Sequence, residues 1–131
     1  MLPHDKSLAL SAIEAEQLRD LRSRLNRLPT NPALAAKSIG PLSRGFFDLC
    51  IRIGLVGAAG PSIADSAKAL VCQADHAGPC ELRGLVAALE QLHRSGSDRW
   101  PAIVAGGVLQ AAISRRLALA GREPAKEGVL A

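Results

Sequence analysis

Apolar residues recur with the helical period from the start of the chain. Leu18, Leu21, Leu25 and Leu28 stand at 3-4-3 spacing and form one stripe, with Arg19, Arg22, Arg24 and Arg27 on its flanks. Ser11-Ala-Ile-Glu14 precedes the stripe and reads as a capping box, in which each side chain satisfies a backbone amide near the other residue. Asp20 stands one turn before Arg24 and is placed to pair with it. Pro29 ends this helix, and residues 1–10 read as an extended lead-in. Asn31-Pro32 opens a second, short helix, with Asn as the cap and Pro at the first position. It runs to Ile39 and stops at Gly40-Pro41.

Residues 43–56 carry two periods at once. As a helix they place Arg44, Asp48 and Arg52 four apart on one polar stripe, laced by two ion pairs, with the rest apolar. As a strand they alternate Phe47, Leu49, Ile51, Ile53 and Leu55 with more polar positions. The helix is preferred, because no partner strand is evident elsewhere and a lone strand leaves its backbone unsatisfied. Gly57-Ala-Ala-Gly60-Pro61 is a break. Ser62 and Asp65 then cap a helix whose apolar positions are Ile63, Ala67, Leu70, Val71 and Ala74. Gly78-Pro79 closes it and opens the next, faced by Leu82, Leu85, Val86, Leu89 and Leu92. His93 and Arg94 lie in that helix's last turn, where the helix dipole favours positive charge, and Gly96 ends it. The last helix begins between Ser97 and Pro101 and ends at Gly121. Gly106-Gly107 is costly inside it and marks either a close helix crossing or a strand over Ala102–Ala105 followed by a shorter helix. Residues 122–131 read as a flexible tail. The expected architecture is all-α: one domain over residues 1–121, a compact bundle of five or six helices with short Pro and Gly turns. The alternative is a small α/β fold with short strands near 47–55 and 101–105.

Composition narrows this picture in three ways. The 131 residues suit a single domain, and with only 2% aromatic residues the core must come from Leu, Ile, Val and Ala. The net charge of +4 permits an acidic partner without demanding one. The longest basic run is Arg115-Arg116, so there is no concentrated stripe of the kind nucleic-acid binders often show. Three cysteines in no framework spacing suggest reduced thiols and a cytoplasmic setting. The amino terminus lacks the pattern of a secretory signal. The near-continuous apolar run Ala102–Ile113, interrupted by Gln110, is shorter than the ~20 residues a membrane helix needs.

Five groups of residues are candidates for chemistry or binding. Cys72 and His76 are one helical turn apart, and Cys80 follows across Gly78-Pro79, so the three outline a metal-binding sensor. Asp75 or His93 would have to complete it, since a structural zinc site wants four ligands, commonly as two close pairs. Gly54-Leu-Val-Gly57-Ala-Ala-Gly60-Pro-Ser62 invites a nucleotide-loop reading. The spacing fails it, because Ala59 stands where a second glycine is needed and no Lys-Ser/Thr follows. Residues 62–94 suit a helix-turn-helix, with Arg83, Arg94, Arg115 and Arg116 as the DNA-contacting cations. Glu81 at the start of the second helix would repel phosphate. The histidines, His4, His76 and His93, sit in no nucleophile or metalloprotease motif. Finally, Trp100, Ile103, Val104, Val108, Leu109 and Ile113 cover most of the circumference of the last helix. They must be hidden either at the centre of a bundle or against a second chain, and the place of this helix at the end of the chain points to a second chain. The expectation is a non-catalytic helical regulatory or adaptor protein acting through protein contacts, as a homodimer or with another chain, without a cofactor. A DNA-binding regulator is the alternative, and a metal sensor the third reading.

Overall fold

The computed structural model describes residues 9–28, 32–55, 66–96 and 98–121. They form six α-helices: α1 (Ala12–Asn26), α2 (Pro32–Arg52), α3 (Ala67–Asp75), α4 (Pro79–Arg94), α5 (Trp100–Ala105) and α6 (Val108–Leu119). No strand occurs among the described residues. The all-α expectation holds and the α/β alternative falls, since residues 47–52 belong to α2 and residues 101–105 to α5. Of the proposed lead-in only Ala9 and Leu10 are described, and Leu10 is buried; the proposed tail lies outside the described residues.

Helix α1 begins as its sequence dictates. The Glu14 amide donates to Ser11 Oγ at 3.1 Å, and the Ser11 amide donates to the Glu14 carboxylate at 3.0 Å. Leu18, Leu21 and Leu25 are buried and Leu28 is packed against the core. Arg24 meets Asp20 at 3.0 Å.

Helix α2 corrects the expected short helix over 32–39. It runs unbroken through Gly40-Pro41, with Pro41 inside it. Ile39, Ser43, Phe46, Phe47, Cys50 and Ile53 recur at helical spacing across that point and are all buried. Tertiary burial of one continuous face thus overrides a local stop signal, and Pro41 itself lies exposed on the other face. Arg44, Asp48 and Arg52 form the expected exposed stripe, but no ion pair joins them among the described residues. The helix closes at Gly54, whose φ of +73° favours glycine. There the Leu55 amide reaches the Cys50 carbonyl at 2.7 Å and the Gly54 amide reaches the Ile51 carbonyl at 3.1 Å, which is a Schellman closure.

Helix α3 is capped by Ser66, whose Oγ accepts from the Ala69 amide at 3.1 Å. The expected cap, Ser62 with Asp65, lies outside the described residues. The turn 76–78 leads into α4, whose first turn is fixed by the Gly78 amide donating to Glu81 at 2.9 Å. Gly106-Gly107 divides the last helical stretch into α5 and α6. Gly107 has φ +95°, and a β-carbon there would meet nothing within 4 Å. A left-handed turn, rather than a close helix crossing, is what requires glycine.

Helix α6 is the hub of the molecule. It packs against α1, α3, α4 and α5, while α2 packs on α1 and α5. The chain's last described helix is thus enclosed by helices that precede it.

Candidate functional site

The residues singled out in the sequence are not gathered into one place. Trp100, Ile103, Val104, Val108, Leu109 and Ile113 are all buried within the single chain, at 0–5% exposure. The apolarity of that segment is accounted for by the central position of α5 and α6, and these six side chains offer no free face to a second chain. Of the four candidate DNA-contacting cations, Arg116 is buried at 2% exposure. Arg115 donates to the Ala77 carbonyl at 2.7 Å and so holds the α3–α4 turn. Arg94 is exposed and meets Glu90 at 3.3 Å, and Arg83 is half-buried. They do not present one basic face.

Cys72 and His76 do come together, with Sγ 3.9 Å from Nδ1. The same Nδ1 lies 2.9 Å from the Cys72 carbonyl oxygen, an acceptor only, so Nδ1 carries the proton and faces the thiol as a donor. Nδ1 therefore offers the thiol no base, and Nε2 is the ring nitrogen left to accept or to ligate. Cys80 is exposed at the first turn of α4. No group of three His, Cys, Asp or Glu side chains stands at metal-binding distance among the described residues. The candidate loop Gly54–Ser62 falls outside the described residues beyond Leu55, as does His4.

Two buried groupings were not visible in the sequence. All three aromatic rings gather with the half-buried His93. Phe47 lies 5.4 Å from His93 and 5.9 Å from Trp100, and Phe46 meets Phe47 edge-on at 5.1 Å. Trp100 Nε1 donates to the buried Ser43 Oγ at 3.0 Å, so α2, α4 and α5 are locked at one point. The second grouping is Cys50 and Arg116. Burial pushes the Cys50 thiol well above its ordinary range, and Glu90 adds to the rise while Arg116 opposes it. Burial depresses the Arg116 guanidinium, and Arg83 adds to that depression. The three aromatic rings of the first grouping and both members of the second are buried.

A concave surface built by two elements lies elsewhere, between the end of α1 and the first half of α2. It is an open cleft of about 410 Å³. Arg24, Arg27, Lys37 and Ser38 supply its polar lining, and Leu28, Pro41 and Leu42 its apolar floor. Among the described residues three cations and no acid line it. Arg27 and Lys37 are exposed and carry no ion pair among the described residues. The Arg24–Asp20 pair is exposed on both sides, and such pairs are worth about 0–1 kcal/mol, so Arg24 is readily exchanged to a new acid. Pro41 adds a backbone feature. Having no N–H, it cannot donate to the carbonyl four residues earlier, that of Lys37. Two further surface depressions among the described residues each lie on one helix: one around Ile13, 71% exposed on α1, and one around Cys72 on α3. In the sequence, Arg24 and Arg27 read as ordinary flanks of an amphipathic helix and Pro41 as a helix stop. A proline inside an apolar repeat that continues on both sides was the signal that could have marked the place.

No helix among the described residues is long and apolar enough to cross a membrane. Comparison with protein-family models finds no match, and neither curated proteins nor solved structures yield a similar chain, so any reading of function rests on the residues themselves.

Proposed function

We propose that the protein is a small, non-catalytic helical adaptor that acts by binding another protein, with the cleft between α1 and α2 as its contact surface. The observation that carries this reading is the cleft itself: two helical walls, an apolar floor and a rim of cations, left open on one side. A small-molecule site commonly encloses most of its ligand. An open, amphipathic groove suits a polypeptide segment, whose apolar side chains enter the floor while its polar ones meet the rim. The apolar residues of α5 and α6 are engaged within the chain, so a partner surface has to be sought on the outer helices. Cys50, Cys72 and Cys80 are free, which supports a reducing, cytoplasmic setting.

The test is a photo-crosslinking amino acid placed at Ser38 in the cleft, or at the exposed Gln91 on α4 as a control, in cells that make the protein. The expected result is a discrete protein adduct from Ser38, absent from Gln91, and lost when Arg27→Glu and Lys37→Glu are combined. Equal trapping from both positions, or trapping of nucleic acid from Ser38, would overturn the reading. A homodimer through this cleft would appear as an adduct of two chains of 13.7 kDa each.

A further inference from the structure

We infer that the segment seated in the α1–α2 cleft is an acidic one with an apolar anchor, selected by Arg27 and Lys37. This inference rests on the reading of the cleft as a protein-binding surface and names the chemistry of its occupant. Charge complementarity carries it. Among the described residues the lining holds three cations and no acid, and two of the cations have no internal ion pair. A cation opposite Asp or Glu gains attraction and steers encounter, whereas a basic segment would be repelled at the same spot. The floor sets the second requirement. Leu28 and Leu42 are both only partly buried, so an apolar side chain laid across them removes from water surface that the fold leaves wet. An acidic segment with one or two Leu-like anchors satisfies both features. Nucleic acid answers only the charge, because its backbone offers nothing to the apolar floor.

The experiment uses the full chain and three synthetic peptides of equal length. Each carries Leu at i, i+3 and i+7, and its polar positions are all Glu, all Gln or all Lys. Binding is read by fluorescence anisotropy and located by amide chemical shifts. The Glu peptide is expected to bind, to perturb Arg27, Lys37 and Leu42, and to weaken as salt is raised. The Gln peptide should bind roughly tenfold more weakly, and the Lys peptide not measurably. Combining Arg27→Glu with Lys37→Glu should reverse the order of the Glu and Lys peptides. Because both side chains are exposed, circular dichroism and the thermal midpoint should stay unchanged. Should the Gln peptide bind as tightly as the Glu peptide in the same cleft, the cleft remains a protein-binding surface and selection for acid fails. Should no peptide perturb the cleft while a DNA duplex does, both the inference and the reading beneath it fail.

Discussion

Buried polar atoms decide more at single residues here than their number suggests. Ser43 Oγ is the acceptor for Trp100 Nε1, and both residues are enclosed. Ser43→Ala leaves that N–H buried without its acceptor, at a cost of about 1–3 kcal/mol, to be measured by urea titration with the native helix signal preserved. The same change on a Trp100→Phe background should cost much less, because no donor is then stranded. Cys50 carries a prediction about pH. Its thiol stays protonated in the folded chain well above the ordinary value of 9.0, through burial first and Glu90 second. Above pH 9.0 the unfolded chain loses this proton and the folded chain keeps it. Unfolding then releases a proton, and stability falls as pH rises, by up to about 1.4 kcal/mol per pH unit from this group. Urea midpoints measured from about pH 8 to 10.5 should decline, and Cys50→Ala should remove part of that slope. What the sequence showed at this scale was the local chemistry: the Ser11–Glu14 cap and the Asp20–Arg24 pair join residues three and four apart. Ser43 and Trp100 are 57 positions apart, and nothing in local spacing announces such a partnership. The cation set of the cleft was hidden for the same reason, since Arg27 and Lys37 meet only because α1 and α2 pack together.

Helices were legible wherever an apolar period and a cap agreed, as in α1 and in α4. They were misread where a strong local signal opposed a longer pattern. Gly40-Pro41 has the composition of a stop, yet the buried row from Ile39 to Ile53 keeps its period across it, and one helix forms where two were expected. The conflict has a measurable size. A proline inside a helix costs about 3 kcal/mol, because it removes one hydrogen bond and crowds the carbonyl four residues before it. Since Pro41 is exposed, Pro41→Ala loses little packing and restores the N–H for the Lys37 carbonyl. The variant should unfold at a higher temperature and urea concentration than the wild type, by up to about 3 kcal/mol. A neutral or destabilising result would show that the proline ring is itself packed in the cleft. The opposite error occurred at Gly106-Gly107, where composition posed the right question without its answer. The break is a left-handed turn between two helices, which depends on the φ of +95° at Gly107.

For the molecule as a whole, the informative element is α6. Its sequence states that nearly every side must be hidden and is silent on what hides it: other helices of the same chain and a second chain make the same demand on residue type. The structure places α1, α3, α4 and α5 around it, and Val108, Leu109, Ala112 and Leu117 retain no exposure. The two situations respond oppositely to one substitution. At an interface, Val108→Glu would separate two chains and leave each folded. At the hub of a bundle, it puts a carboxylate where there is neither water nor a designed partner, and an unpaired buried charge is among the few changes that exceed about 4–5 kcal/mol. A domain of this size has about 5–15 kcal/mol in total. Val108→Glu should therefore lose most of its helical circular dichroism and its cooperative urea transition at every protein concentration. Arg27→Glu with Lys37→Glu, made on the outer cleft, should leave both intact. A Val108→Glu chain that kept its helix content and differed from the wild type only in sedimentation would put α6 at an interface. The enclosure seen here requires the first result, because the most apolar segment of the chain is already covered on its buried sides by helices of the same chain.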